Sequence, residues 1–306
     1  MAFPEQLASP SAARGGIVPG AAGSGYDPSH RQATVVGAKS TQGERAQVTD
    51  PFVEFSQLTI EYPSREGPVV ALAGVDLSFS AGDFVCIVGP SGCGKTTLMQ
   101  TLAGFLPPTR GRVALAGQPI TGPGPDRGVV FQQPALFPWM TVSENAAFGP
   151  MVRGLGRERR EKVEYYLKLV GLWDFRNRYP YQLSGGMQQR LAIVRALVND
   201  PKVLLMDEPF GALDALTREK MQEELHSVWR RTSMTVVFIT HSVEEAVYLG
   251  TDVVVMSPRP GRIVERLCVD FSRRSGVGDD IRSIKASLEF VTIREHVLGL
   301  IWASAG

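Results

Sequence analysis

The chain has 306 residues, of which 43% are hydrophobic and 21% are charged, a composition typical of a soluble globular protein with one large or two modest domains. Its formal net charge of +1 at pH 7 gives no overall attraction for nucleic acid or for an anionic membrane surface, so we expect no nucleic-acid partner. The three cysteines lack disulfide or metal-ligand spacing, the N-terminus lacks a secretory signal pattern, and no apolar run approaches the roughly 18–20 residues that span a bilayer.

Residues 1–50 differ in composition from the rest of the chain. They are rich in Gly, Ala, Ser and Pro and have no hydrophobic periodicity, which predicts a disordered extension. Their arginines and few acidic residues are also compatible with an organellar transit peptide, although no amphipathic helix is evident. From residue 52 onward, apolar and polar residues alternate in 52–62 and 69–79, which predicts a small antiparallel sheet.

The most informative stretch begins with the apolar run Phe84–Val88, which is typical of a strand buried on both faces of a parallel sheet. The next eight residues match G-x-x-x-x-G-K-[ST] and precede a helix-compatible segment. Glycines permit positive φ, so backbone N–H groups can converge on an anion, and a helix N-terminus adds partial positive charge. Lys95 supplies a full charge for the β- and γ-phosphates, and the Thr96 hydroxyl is placed to bind Mg²⁺. The predicted nucleoside triphosphate site in this stretch comprises Gly89, Pro90, Ser91, Gly92, Cys93, Gly94, Lys95, Thr96 and Thr97.

Three aromatic or thiol residues each have two interpretations. Tyr62, at the end of the first alternating segment, is either a plain strand-end aromatic or a residue that stacks on adenine. Cys93 lies within the predicted anion nest, so a bulky thiol modification either blocks nucleotide binding or fails because the thiol is unreactive. Trp139, in a helix-like region that spans 134–181, is either a core residue or an exposed aromatic used for docking.

Polar residues follow three predicted strands. The strand Gly128 to Gln132 ends at the glutamine, Val203 to Asp207 is followed by Glu208, and Thr235 to Thr240 is followed by His241. Ligands of an open parallel sheet lie beyond the carboxyl ends of its strands, where the phosphate loop also lies. We therefore expect Asp207 to hold Mg²⁺, Glu208 to activate water as general base, and His241 to orient the water and the γ-phosphate. The remaining histidines, which lack such a setting and are expected to be structural, are His30, His226 and His296.

Residues 183–190 have the sequence LSGGMQQR and lie between the phosphate loop and the carboxylate strand. With Gln132 before this motif and His241 after it, residues 52–306 resemble the ATP-binding subunit of ABC transporters. The resemblance implies an α/β fold, with a P-loop NTPase (RecA-like) core built on a parallel sheet, a small antiparallel β subdomain and an inserted helical subdomain. We expect the ABC ATPase domain at 51–275, the helical subdomain at about 134–183, and a C-terminal helical tail at 276–306.

The resemblance also assigns roles to single residues. It places Tyr62 on adenine and implies that Gln132 senses Mg²⁺ and the permease, so that Thr96, Gln132 and Asp207 form the metal site. It implies that Lys95 acts with Glu208 and His241 in catalysis. It further implies a head-to-tail homodimer in which the LSGGMQQR motif of one subunit closes on the ATP of the other. The residue chemistry supports this independently, because an anion-binding helix start without its own phosphate loop is best used in trans. The residues expected to act in trans are Ser184, Gly185, Gly186, Gln188 and Asp214.

A narrower resemblance concerns the transported molecule. Residues 124–149 and 257–274 resemble the nitrate, sulfonate and taurine importers, and residues 282–302 are most similar to the taurine importers. This implies transmembrane permease subunits, a periplasmic substrate-binding protein, and a peripheral location on the cytoplasmic face of the bacterial inner membrane. Uptake of aliphatic sulfonates or of nitrate is the close alternative to taurine. A non-transport ABC ATPase and a non-hydrolysing interaction module are disfavoured by the single phosphate loop, the near-neutral charge, and the presence of both Glu208 and His241.

Overall fold

A computed structural model describes residues 51–154, 157–211, 213–274 and 281–305, so the predicted disordered extension and His30 lie outside the described residues. The strands of the described part are β1 (Val53–Tyr62), β2 (Val69–Phe79), β3 (Phe84–Val88), β4 (Arg110–Leu115), β5 (Gln118–Pro119), β6 (Arg127–Val130), β7 (Val203–Asp207), β8 (Thr235–Ile239), β9 (Asp252–Met256) and β10 (Ile263–Cys268). The helices are α1 (Lys95–Ala103), α2 (Val142–Val152), α3 (Arg157–Leu169), α4 (Gly185–Leu197), α5 (Ala215–Thr232), α6 (Val243–Leu249), α7 (Phe271–Arg274), α8 (Ile281–Ala286) and α9 (Leu288–Ala305), with short 3-10 helices at Trp173–Phe175 and Pro180–Gln182.

The strands form two sheets, as the sequence predicts. The alternating segments β1 and β2 pair antiparallel and extend through β4 and β5 into a four-stranded sheet of order β2-β1-β4-β5. The uniformly apolar runs β3, β7 and β8 enter a six-stranded sheet of order β10-β9-β3-β8-β7-β6, which is parallel except for the edge strand β10. The predicted α/β class, with a parallel sheet and a small antiparallel sheet, is confirmed.

The register of the large sheet brings the predicted functional residues to one edge. Strand β3 lies between β8 and β9, and β8 lies between β3 and β7. Asp207 is aligned with Ile239, and Ile87 with the same residue from the other side. Since parallel strands end on one side of a sheet, the residues that follow β3, β7 and β8 share that edge.

Alternating side chains of β3 serve two hydrophobic cores, which explains why this strand is apolar throughout. Phe84, Cys86 and Val88 pack with residues of α4, α5, α6 and α9 on one face of the sheet. Val85 and Ile87 pack with residues of α1 and of the small sheet on the other face. Burying both faces of a strand removes each of its apolar side chains from water, so strand and sheet are strongly stabilised.

The helical region has a core of its own, centred on residues of α2, α3 and α4 such as Val142, Leu167 and Leu191. Helix α4 is shared, because Leu191 faces this core while Ile193 packs against the large sheet. Thr141 begins α2 with a capping box, in which its hydroxyl accepts from the N–H of Glu144 and the Glu144 carboxylate accepts from the N–H of Thr141. The division of the chain at 51–275, 134–183 and 276–306 stays a prediction.

Several elements differ from the sequence expectation. Strand β6 ends at Val130, so Gln132 lies two residues beyond the strand and not at its last position. Strands β9 and β10 were not expected, although the apolar, β-branched run of β9 is the signal for a buried strand. In the tail, Phe290 and Val297 of α9 are buried in the same core as Phe84, so α9 packs against the main sheet.

Candidate nucleotide-binding site

The loop between β3 and α1 requires glycine at positions where the chain folds back closely. Gly94 has a φ of 93°, and a Cβ there would lie 2.5 Å from Leu72 Cδ2. A Cβ on Gly89 would lie 2.6 Å from the Met256 carbonyl oxygen. Gly94 is the N-cap of α1 and provides no side-chain cap, so the first N–H groups of α1 remain available to an anion.

Lys95 lies at the start of α1 and is 95% buried, since its relative exposure is 5%. Its ammonium donates to the carbonyl oxygens of Gly89 at 2.9 Å and Pro90 at 3.1 Å. These carbonyls hold the charge against the loop without neutralising it, because they are dipoles and not anions. The lysine side chain is therefore held in the loop where it can contact phosphate oxygens.

Asp207 and Thr96 place two oxygen ligands side by side. The Thr96 hydroxyl donates to the two carboxylate oxygens of Asp207 at 3.1 and 3.4 Å. Burial raises the pKa of the Asp207 carboxyl, and the hydrogen bond from Thr96 partly opposes this shift. A carboxylate and a hydroxyl that leave further positions to phosphate and water are the oxygen set that Mg²⁺ prefers, so these residues fit that ion. Among the described residues, no cluster of three His, Cys, Asp or Glu side chains forms a second candidate metal site.

Glu208 and His241 face each other across adjacent strand ends. Glu208 Oε1 lies 2.5 Å from His241 Nε2, and the N–H of Glu208 donates to the Ile239 carbonyl at 2.9 Å. Glu208 has a φ of 46°, a left-handed conformation that is uncommon for a residue with a side chain. Asp207 and Glu208 therefore make separate contacts, the first with the phosphate loop and the second with the histidine.

Part of the phosphate loop lines a cavity of about 500 Å³ together with Glu208 and His241, and Asp207 contacts this lining through Thr96. Tyr62 lies at its rim with 38% exposure, and its hydroxyl is 3.4 Å from Thr97 Oγ1. The predicted site residues that line the cavity are Tyr62, Ser91, Gly92, Gly94, Lys95, Thr96, Thr97, Glu208 and His241. The cavity is thus lined both by residues from the first third of the chain and by residues that follow β7 and β8.

The remaining predicted residues do not line this cavity. Gln132 is exposed, and its Nε2 lies 3.6 Å from the position that a Cβ on Gly211 would take. Ser184 caps α4 by accepting from the N–H of Met187 at 3.3 Å, ahead of Gly185 and Gly186 in the first turn.

Two further residues expected to act in trans also lie outside the cavity lining. Gln188 Nε2 donates to the carbonyl oxygens of Pro180 at 3.0 Å and Leu183 at 3.3 Å. Asp214 caps α5 by accepting from the N–H of Thr217 at 3.0 Å. Hydrogen bonds from the side chain and then from the backbone of Thr217 lower the pKa of the Asp214 carboxyl. A single chain therefore does not bring these residues to its own phosphate loop, and their action in trans stays a prediction.

The cavity also contains residues that the motifs of the sequence do not indicate. Val69, Val70 and Ala71 at the start of β2 line it, as does Arg259. The Arg259 guanidinium lies beside the phosphate loop, with Nη2 3.4 Å from the position that a Cβ on Gly92 would take. Because Arg259 follows the end of β9, recognising that strand would have placed this cation at the ligand edge of the sheet.

Trp139 and two of the histidines lie away from the cavity lining. Trp139 is 70% exposed, so it is not a core residue. His226 is buried and contacts the Ser272 carbonyl oxygen at 2.7 Å, and His296 is paired with Glu265 at 3.2 Å. Both histidines therefore have contacts expected of structural residues.

Thiol reagents are expected to label Cys268 well before the other two cysteines. Cys86 and Cys93 are fully buried, whereas Cys268 is exposed. Burial raises the pKa of the Cys93 thiol, so little thiolate forms at neutral pH, and reactivity rises only as pH increases toward that raised pKa. Peptide mapping after brief labelling of the folded protein measures the order. Early labelling of Cys93 would contradict the burial, and unchanged nucleotide affinity of the labelled protein would refute the steric-block hypothesis.

The phosphate loop, its buried lysine, and the carboxylate strand beside it define a P-loop nucleoside triphosphatase. A family model described as ABC transporter matches residues 72–211. The chain is 53% identical over 235 residues to the taurine import ATP-binding protein TauB of Roseobacter denitrificans, covering 76% of this chain and 87% of that protein. It is 49% identical over 253 residues to the protein of the same name from Pseudomonas entomophila, covering 82% of this chain and 97% of that protein. The chain belongs to the ABC transporter family, as an ATP-binding subunit.

Solved structures of similar proteins agree with this assignment. One is a dimeric ATP-binding cassette in a post-hydrolysis state bound to ADP and Pi, with a TM-score of 0.63, 34% identity, and coverage of 71% of this chain and 98% of that one. Another is cbiO1 from Clostridium perfringens, part of the ABC transporter complex cbiONQ, with a TM-score of 0.66, 27% identity, and coverage of 81% and 99%. No helix in the described ranges has both the length and the apolar character that crossing a membrane requires.

Proposed function

We propose that this chain is the ATP-hydrolysing subunit of an importer that couples ATP binding and hydrolysis to the uptake of taurine. The contact of 2.5 Å between Glu208 and His241, at the cavity that also contains Lys95, carries the hydrolytic part of the proposal. The transported molecule rests on the relatives, which are named taurine import ATP-binding proteins at about half identity. Aliphatic sulfonates and nitrate are the competing candidates.

In the proposed reaction, adenine stacks on Tyr62, and the phosphates lie in the glycine loop against Lys95 and the N-terminus of α1. Glu208 takes a proton from water as the water oxygen attacks the γ-phosphorus, and the bond between that phosphorus and the β–γ bridging oxygen breaks to release ADP. His241, held by Glu208, orients the water and the γ-phosphate. Lys95 stabilises the negative charge that develops on the phosphate oxygens.

We propose that Thr96 and Asp207 hold Mg²⁺, with Gln132 approaching when the subunits close. An ion held by Thr96 and Asp207 would supply positive charge that stabilises the phosphate groups. Asp207→Asn should raise the Mg²⁺ concentration for half-maximal turnover by about tenfold or more, because a carboxylate ligand loses its charge. A Mg²⁺ titration of ATPase activity measures this, with Asp174→Asn in the helical region as the matched control. An unchanged Mg²⁺ requirement would refute the ligand assignment.

We propose that the working form is a head-to-tail homodimer. In it Ser184, Gly185, Gly186, Gln188 and Asp214 of one subunit approach the ATP of the other. Two observations support this: these residues lie outside the cavity lining of their own chain, and the neutral Ser184 begins α4, whose N-terminus favours an anion. The dimeric solved relative is a precedent for the assembly.

We propose that a permease segment docks on the side of the helical region. An open, mostly apolar cavity of about 510 Å³ lies there and includes Phe131, Phe137, Phe148 and Val152. Trp139 packs against Phe137 while 70% exposed, which favours its docking role. Such docking places the subunit peripherally at the cytoplasmic face of the inner membrane, with a periplasmic binding protein on the opposite side.

Growth of a deletion strain tests the transported molecule. Taurine, an alkanesulfonate and sulfate are supplied in turn as sole sulfur source, and nitrate as sole nitrogen source. We expect failure on taurine alone, rescued by the wild-type gene but not by Lys95→Ala. Failure on an alkanesulfonate or on nitrate instead would move the assignment to that compound. Normal growth under every condition, together with unchanged uptake of labelled taurine, would refute the transport proposal.

A further inference from the structure

Thr240 and Glu245 form a buried hydrogen-bonded ring around the backbone of His241. The Thr240 hydroxyl donates to Glu245 Oε2 at 2.5 Å and accepts from the N–H of Ser242 at 3.0 Å. The Ser242 hydroxyl accepts from the N–H of Glu245 at 3.2 Å and so caps α6. His241 therefore lies between Thr240 and Ser242, which are joined by the hydrogen bond from the Ser242 N–H to the Thr240 hydroxyl. This bond holds the backbone on both sides of His241.

Helix α5 fixes the other oxygen of the Glu245 carboxylate. Gln222 Nε2 donates to Glu245 Oε1 at 3.0 Å, and Arg218 Nε lies 3.7 Å from the same oxygen. Gln222 in turn accepts from Lys285 of α8 at 3.3 Å. Glu245 is only 4% exposed, and a buried carboxylate is costly unless its oxygens are paired. This pairing makes Glu245 a rigid anchor for Thr240.

We infer that Thr240 and Glu245 are positioning residues for ATP hydrolysis, which hold His241 at its contact with Glu208. The inference rests on the proposed function, because the proposed function assigns His241 and Glu208 to the hydrolytic step. Neither Thr240 nor Glu245 lines the nucleotide cavity, and the hydrogen bonds of their side chains go to Ser242, Gln222 and each other. They therefore act on turnover and leave ATP affinity unaffected, because displacement of a reacting group by about 1 Å can cost about 100-fold in rate.

The test compares Thr240→Val with Thr251→Val in the full-length chain. Thr251 is equally buried, and its hydroxyl also makes several hydrogen bonds, with the Phe84 backbone and with Asp252. Thr251 directly precedes β9, so it lies at the N-terminal end of the parallel strands, whereas the cavity lies at their C-terminal end. Thr240→Val should lower kcat about 10- to 100-fold with an unchanged ATP Kd, whereas Thr251→Val should lower Tm but retain kcat at a temperature where it is folded. Thr240→Ser, which restores the hydroxyl, should recover most of the lost turnover.

Glu245→Gln provides a second, isosteric variant if Thr240→Val does not fold. In Glu245→Gln an NH₂ group replaces one of the two oxygens that separately accept from Thr240 and Gln222, so one of these hydrogen bonds is lost. We therefore expect kcat to fall again while ATP affinity stays constant. Wild-type kcat in the folded variants, an equal kcat loss in Thr251→Val, or a parallel loss of ATP affinity would overturn the inference. His241→Ala in the same assay separates the two proposals, because full turnover in that variant would refute the hydrolytic assignment itself.

Discussion

Glu208→Gln is expected to reduce kcat for ATP hydrolysis by about 10²- to 10⁴-fold, while the variant still binds ATP. The amide keeps the shape of the side chain and can still hydrogen-bond His241, but it cannot accept a proton from the attacking water. ATP should therefore persist between the subunits, so that an ATP-bound dimer accumulates.

Size-exclusion chromatography with light scattering, run with Mg²⁺ and ATP, measures that dimer, and phosphate release measures turnover. Glu223→Gln, at an exposed position on α5, makes the same chemical change away from the cavity and should behave as wild type. Wild-type turnover in Glu208→Gln would eliminate the general-base assignment, and loss of ATP binding would indicate a role in affinity instead.

Lys95→Met is expected to weaken ATP binding about 10- to 100-fold, since a hydrogen bond to a charged group contributes about 1.5–3 kcal/mol. It should also reduce turnover about 10²- to 10³-fold, because the charge that stabilises the transferred phosphoryl group is lost. Methionine occupies a similar volume, so the buried space that Lys95 takes up stays filled.

Calorimetry with ATP gives the affinity. Thermal unfolding shows whether the fold is destabilised when Lys95→Met removes the hydrogen bonds to the Gly89 and Pro90 carbonyl oxygens. Lys202→Met, at an exposed position before β7, is the matched control and should retain wild-type affinity. An unchanged ATP Kd in Lys95→Met would show that the lysine does not contact phosphate.

The phosphate loop was predictable from the sequence because its requirements are local. A loop that curls around an anion needs glycine where φ is positive or where the backbone has no room for a Cβ, and Gly94 meets both conditions. The buried strands β3, β7 and β8 were predictable for a similar reason, since only a strand covered on both faces is apolar throughout.

Strand β9 was not predicted from the sequence pattern. Its run of valines carries the same signal as β3, but no nucleotide-binding motif follows it to draw attention to its end. Arg259 likewise has no local motif, and it enters the cavity only because β9 pairs with β3 in parallel. The place of Gln132 relative to Gly211 also depends on where loops pack, and local pattern does not encode this.

The sequence by itself determined the nucleotide class, the two kinds of sheet and the residue types of the site, because glycine placement, alternation and apolar runs act over a few residues. The tertiary structure alone decided which strand ends are neighbours, and so that Glu208 meets His241 and Asp207 meets Thr96. It also decided that Thr240, Glu245 and Gln222 are linked behind the histidine. Except for the contact between Thr240 and Glu245, which are five residues apart, these contacts join residues that are distant in the chain. Only sheet order and the packing of helices bring such residues within hydrogen-bond distance.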